Sequence, residues 1–257
     1  KPRQEDFFIG DYLQELLAPL FPIVMPNVED LWSYGETGYH SLATAVVRQR
    51  YKREAMAAAF RILGEGQLSL TKFLLVVDQK IEIRDFKKLL PHILERCDFR
   101  TDLYVFSNLA MDTLDYTGPK VNEGSKGVLL GVGEPIRKLL NEYHGDFPRQ
   151  TEQIEVFCPG CLVISGPRFE EDPDYAQIIA RQPYFSDWPL IILVDNAKKA
   201  ASSTSKFGTP WLLHIWKWAL TQESSCSSAR QTITSARYGS TLSIFMPMST
   251  MPISAAP

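Results

Sequence analysis

The chain has 257 residues, 45% of them hydrophobic and 22% charged, and a formal net charge of −3. This is the composition of a globular protein long enough for one large domain or two small ones. It excludes the basic field that nucleic acid or an anionic membrane surface selects, and no apolar run reaches the roughly 18 residues of a transmembrane helix.

The first ten residues, "KPRQEDFFIG", hold neither a start methionine nor an apolar signal core. They read as a cut through a longer protein. In "DYLQELLAPLF" (11–21) the leucines Leu13, Leu16, Leu17 and Leu20 recur at helix spacing. "PIVMPNVEDLWSY" follows with two prolines and is expected to be extended or looped. The alanine-rich stretch "LATAVVRQRYKREAMAAAFRI" (42–62) predicts one helix with Arg48, Arg50, Lys52 and Arg53 on a solvated face.

Signals for alternating strands and helices come next. "KFLLVVD" (72–78) is a short continuous apolar run, as in a buried parallel strand. "IRDFKKLLPHILERC" (83–97) is an amphipathic helix interrupted by proline, and "DLYVFSN" (102–108) is a strand. "KGVLLGVG" (126–133) is a further strand, and "EPIRKLLNEY" (134–143) predicts a helix with proline in its first turn. "QIEVFCPGCLVIS" (153–165) holds one or two strands, "DPDYAQIIARQP" (172–183) a helix, and "WPLIILVDN" (188–196) a strand that echoes "KFLLVVDQ". The alternation implies a layered α/β domain with a mostly parallel or mixed central sheet flanked by helices.

Four glycines and a lysine in "NEGSKGVLLGVGEP" (122–135) invite a phosphate-binding reading. A Walker loop needs its lysine after the strand, and here Lys126 precedes it. The dinucleotide fingerprint needs a small third residue where Ile136 stands. Glu134 would occupy the helix end that an anion requires. The stretch is better read as a turn and a buried strand.

The four cysteines are few and unpatterned, which favours a reducing, cytoplasmic compartment. Cys158 and Cys161 flank Pro159-Gly160 between apolar β-branched runs. A structural hairpin is the plain reading; a metal or redox module is the alternative, although no second pair or histidine spacing supports zinc. Neither a Ser-His-Asp order nor a G-x-S-x-G elbow is present. Glu36 and His40 share a helical face only if their glycine-flanked segment is helical.

In combination, "QEDFFIGDYL", "LTKFLLVVDQKIEIRDF" and "NLAMDTLDYTGPKVNEGSKG" resemble the C-terminal part of the UbiD-family decarboxylases, from residue 1 to about Phe207. The resemblance is greatest to members of menaquinone formation by the futalosine route. The 4-hydroxy-3-polyprenylbenzoate decarboxylases of ubiquinone synthesis come next.

The resemblance implies non-oxidative decarboxylation of an aromatic acid on prenylated FMN with a divalent metal, the flavin acting as electron sink. The family's flavin prenyltransferase supplies that cofactor, and its C-terminal domains build homo-oligomers. Its arginine, two glutamates and metal ligands belong to an N-terminal split barrel, so no catalytic residue is carried over to this sequence. The resemblance does carry over substrate-pocket lining at Ile9, Leu109, Met111 and Leu114, where plain core packing is the competing reading. Lys126 belongs to the family signature without an assigned role.

By this reading residues 1–66 are a helical linker and the start of the C-terminal region, 67–207 the α/β domain, and 208–257 an atypical tail. The tail carries four charged residues and nine serines in fifty positions, and is expected to be disordered or frame-shifted. The chain is expected to be an inactive fragment of a carboxy-lyase. A different class of protein, a stand-alone oligomerisation or regulatory domain serving a separate flavin-binding subunit, stays open. A shifted frame predicts that another frame of the coding region restores the family's "LW…FTR" pattern after Phe207; an uninterrupted read with no such frame contradicts it.

Overall fold

A computed structural model describes residues 13–37, 39, 42–51, 53–64, 66–109, 124–168, 171–204, 206–207, 230–236 and 241–247. The chain enters through two short helices, α1 (Leu13–Leu17) and α2 (Phe21–Val24), joined by a 3-10 turn. A mixed sheet follows, with strands β1 (Val28–Ser33), β2 (Leu42–Val47), β3 (Phe73–Val77), β4 (Leu103–Leu109) and β5 (Gly124–Gly131). Its order is β1-β2-β3-β5-β4. The central three strands are parallel, and both edge strands run antiparallel to them.

Helix α3 (Ala55–Gly64) connects β2 to β3, and α4 (Phe86–Arg96) connects β3 to β4. A second mixed sheet holds β6 (Gln153–Cys158), β7 (Cys161–Ser165) and β8 (Leu190–Val194), with α5 (Tyr175–Arg181) between the last two. Helix α6 (Ala197–Ala201) follows β8. Strands β9 (Arg230–Ala236) and β10 (Thr241–Pro247) form a hairpin on the edge of β8, where the sequence shows no sustained period.

The layered α/β class expected from the sequence is therefore realised with two mixed sheets. Strand alternation explains how they stack. Phe73, Leu75 and Val77 of β3 face one core, while Leu74 and Val76 face another. In the second sheet Cys161, Val163, Leu190, Ile192 and Val194 enter the same core as the first set, and Leu162, Ile164, Ile191 and Leu193 pack against α5. Helix α4 contributes Phe86, Leu89, Leu90, Ile93 and Leu94 to the shared core. It lies between the sheets, with α3 covering the far side of the first and α5 the far side of the second.

Two helix expectations are corrected. Residues 42–62 are not one helix: 42–47 form β2, fully buried and parallel to β3, and the helix begins at Ala55. Burial on both faces of the sheet outweighs the intrinsic helix preference of two alanines. The break between them includes Arg53 at φ 68°, a left-handed conformation a helix cannot contain. Pairing of β2 with β3 also joins the stretch before residue 66 to the sheet that follows it.

Residues 134–143 are not helical either. The backbone N–H groups of Ile136 and Arg137 donate to Glu95 O at 2.8 and 3.3 Å. The Arg137 guanidinium donates to Leu94 O and Cys97 O at 2.5 and 2.6 Å. This segment gives its donors to the unsatisfied carbonyls at the end of α4, as helix C-termini require, in place of a helix of its own.

The glycines of β5 have packing roles. A Cβ on Gly127 would lie 2.4 Å from the Phe73 ring, and one on Gly131 would lie 2.8 Å from Ile93 Cα. Gly131 is thus where the backbone of α4 meets the sheet. Gly131→Ala is expected to destabilise the chain by about 1–3 kcal/mol through overpacking, read as a lower denaturant midpoint. An unchanged midpoint would show that α4 can move off the sheet freely.

Candidate functional site

Because β2, β3 and β5 are parallel, their carboxyl ends lie along one edge of the first sheet, where open α/β sheets commonly bind ligands. A cavity of about 550 Å³ opens there. Its walls come from the turn after β2 (Gln49, Arg50, Tyr51, Arg53), the end of α4 and the following loop (Arg96, Asp98, Asp102), and the exit of β5 (Val132 to Glu134).

The guanidiniums are already engaged. Arg50 Nε donates to Glu54 Oε1 at 2.9 Å, and this contact holds the Glu54 carboxyl below its usual range. Arg53 Nη1 donates to Asp102 Oδ1 at 3.0 Å and to Tyr104 Oη at 2.6 Å. Arg96 donates to Gly133 O and His92 O, each at 3.0 Å, and pairs with Glu95 at 3.1 Å. Asp98 is paired with Arg100 at 2.7 Å, which lowers its pKa.

Asp78, immediately after β3, ties together two segments of the cavity wall. Its Oδ2 accepts from Gly133 N at 2.9 Å and from Gln49 Nε2 at 3.3 Å. Its Oδ1, Gln49 Oε1 and His92 Nε2 are buried without a hydrogen-bond partner among the described residues. In the sequence Asp78 stood out only as the end of a motif that carries the family resemblance, and Gln49 did not stand out at all. The signal available was weak: an acidic residue directly after an apolar parallel strand, and a glycine at positive φ (Gly133, 82°) facing it.

The residues singled out from the sequence lie elsewhere. Ile9, Met111 and Leu114 fall outside the described residues. Leu109 ends β4 opposite Gly124, at the amino edge of β5 and away from the cavity. Lys126 sits near that same edge, buried, with its Nζ donating to Thr71 O at 2.8 Å and to Ser69 O. It joins β5 to the turn that leads into β3. Leu109 and Lys126 therefore share the amino edge of the sheet, and neither reaches the cavity.

Cys158 and Cys161 face each other across a hairpin turn whose Gly160 has φ 78°, as the structural reading expects. Both are buried free thiols, and burial pushes the Cys161 thiol well up, with Cys158 adding to the effect. A protonated thiol is a poor nucleophile and metal ligand. Among the described residues no group of three or more His, Cys, Asp or Glu side chains could hold a metal ion. No described helix is long and apolar enough to cross a membrane.

Similarity to known proteins places the chain in a family. Residues 7–131 match the family model of the 3-octaprenyl-4-hydroxybenzoate carboxy-lyase C-terminal domain, and in this segment the chain belongs to the UbiD family. Over 207 residues the chain is 53% identical to an uncharacterised protein of Chlamydia trachomatis serovar D, covering 80% of this chain and 35% of that one. It is 50% identical, with the same coverage, to a Chlamydia pneumoniae protein named as a 4-hydroxybenzoate decarboxylase subunit. The chain thus spans about a third of the length of these relatives. Among solved structures, the vanillic acid decarboxylase of Sedimentibacter hydroxybenzoicus in closed form is 16% identical, with a TM-score of 0.45 over 69% of this chain and 34% of that one. The UbiD-class enzyme HmfF from Pelotomaculum thermopropionicum, in complex with FMN, is 17% identical, with a TM-score of 0.40 over 48% and 27%.

The cavity does not fit a flavin mononucleotide. A phosphate group needs uncommitted cations or backbone donors, whereas the three guanidiniums are bound to carboxylates and carbonyls, and Glu134 adds a negative charge.

One pH dependence follows from the site. Burial holds the His92 imidazole below its ordinary range; Arg96 adds to this, while Glu95 and Asp78 oppose it. The unfolded chain therefore binds this proton at a higher pH, about 6.5, than the folded chain does. The stabilisation is present above that value and fades as pH falls through the lower folded pKa. Thermal melts from pH 7.5 to 5.5 are expected to show falling stability, with a shallower slope in His92→Gln. Equal slopes would show that His92 titrates alike in both states.

Proposed function

We propose that this chain is the C-terminal part of a UbiD-type carboxy-lyase that removes carbon dioxide from an aromatic acid in quinone biosynthesis. The observation that carries the reading is the 50% identity over 207 residues to the Chlamydia pneumoniae protein named for 4-hydroxybenzoate decarboxylation. The family match to a carboxy-lyase C-terminal domain supports it. Menaquinone formation is the favoured route and ubiquinone formation the next, on the sequence resemblance.

In this reading prenylated FMN and its divalent metal are held by the remaining two thirds of the relatives' length, and the chain alone does not decarboxylate. Its contribution is apolar: Ile9, Leu109, Met111 and Leu114 line the substrate pocket against an aromatic ring. Homo-oligomer formation and cofactor supply by a flavin prenyltransferase follow the family. The alternative, a stand-alone oligomerisation or regulatory domain, is favoured if a separate flavin-binding subunit is encoded nearby.

The test is reconstitution. The chain alone, passed through gel filtration after co-expression with a flavin prenyltransferase, is expected to retain no flavin absorbance. Combined with the N-terminal two thirds of the Chlamydia pneumoniae relative, it is expected to form a complex that releases carbon dioxide from 4-hydroxybenzoate or a substituted relative. Flavin retained by the chain alone, or a stable complex with bound cofactor and no turnover of any aromatic acid, would overturn the reading.

A further inference from the structure

The two entry helices carry an apolar surface that the domain leaves in water. From Leu16 to Val28 the sequence holds no charged residue. Phe21 and Met25 turn inward and join the core beneath α3. Leu16, Leu20, Ile23 and Val24 stay outside, with Leu16 59% and Ile23 76% exposed. A run of exposed aliphatic side chains with no charge among them marks an interaction surface.

The surface is held in place by the domain. Gln14 of α1 grips the edge strand β1: its Nε2 donates to Ser33 O at 3.1 Å, and its Oε1 accepts from Ser33 N. Phe21 and Met25 anchor the other end, and Pro19 and Pro22 restrict the backbone between these fixed points. A face fixed in advance loses little freedom when it is covered.

We propose that this face is where the remaining two thirds of the relatives' length docks, through an apolar surface of its own. The inference rests on the reading of this chain as the C-terminal part of a longer carboxy-lyase. Residues 7–131 match a C-terminal domain, and the chain spans 35% of its relatives. In those relatives the preceding polypeptide therefore leads into this domain at the entry helices. A tethered domain meets the nearest apolar face at high effective concentration, an advantage that a second copy of the chain lacks. A membrane-surface segment would carry lysine or arginine on its polar side, whereas Glu15 and Glu29 bracket this one.

The experiment co-expresses the tagged 257-residue chain with the N-terminal two thirds of the Chlamydia pneumoniae relative and measures how much of that polypeptide co-purifies. Co-purification is expected with the wild-type chain. Leu16→Glu/Ile23→Glu should reduce it at least tenfold and leave the melting temperature of the chain alone unchanged. Phe147→Glu, at a similarly exposed position before β6 (58%), should leave the yield unchanged. Should the double variant melt lower, Ile23→Gln alone decides on the same terms. No co-purification, wild-type yield in the deciding variant, or equal loss in Phe147→Glu would overturn the proposal. So would self-association of the chain, or binding to phosphatidylglycerol vesicles, that the deciding variant abolishes, because a second copy or a bilayer would then be the occupant. The readout is independent of turnover. A complex that forms through this face and decarboxylates no aromatic acid upholds the docking and overturns the carboxy-lyase reading. An active complex with wild-type yield in the variant does the reverse.

Discussion

The structure depends on the close approach of α4 to the first sheet, where Ile93 rests directly on Gly131. A helix packed between two sheets has to present apolar side chains to both, and Phe86, Leu89, Leu90, Ile93 and Leu94 do so. Fully burying a leucine or phenylalanine contributes about 1.5–3 kcal/mol, so this helix supplies a large share of what holds the sheets together. Asp85 caps its start by accepting from Lys87 N at 3.1 Å, and Arg137 with the backbone of 136–137 closes its end.

The same packing creates the carboxyl-edge cavity. The last turn of α4 brings Arg96 beside Gly133, and the capping strap holds Val132 to Ile136 in place as the opposite wall. The turn after β2 completes the enclosure because Arg53 anchors it to Thr101, Asp102 and Tyr104. These contacts join segments about fifty residues apart, and each one fixes one loop against another.

The two edges of the first sheet differ in character. The carboxyl edge is lined by charged groups, whereas the amino edge carries Leu109 and the buried Lys126, whose ammonium is held by main-chain carbonyls. A lysine so enclosed is tied to the fold: the carbonyls that receive it belong to the turn before β3, so it sets where that strand begins. This gives the "GSKG" signature a physical basis in strand placement, alongside the ring space that Gly127 leaves for Phe73.

The sequence by itself determined the element types wherever one periodicity was unopposed. Continuous apolar runs at 73–77 and 190–194 became buried parallel-paired strands, and the amphipathic pattern at 86–96 became α4 despite Pro91. The Pro-Gly turn between Cys158 and Cys161 was legible because a left-handed glycine there admits little else. It also determined the family, through motifs that the match over residues 7–131 bears out. Only the tertiary structure decided that 42–47 is a strand, since two-sided burial overrides the preference of alanine, and that 134–143 is a cap, since its donors are taken by a helix 40 residues earlier in the chain. Gln49, Asp102 and Glu134 came to line one cavity for the same reason. Their meeting depends on three parallel strands ending at one edge, and no local pattern in the sequence encodes which loops that edge will gather.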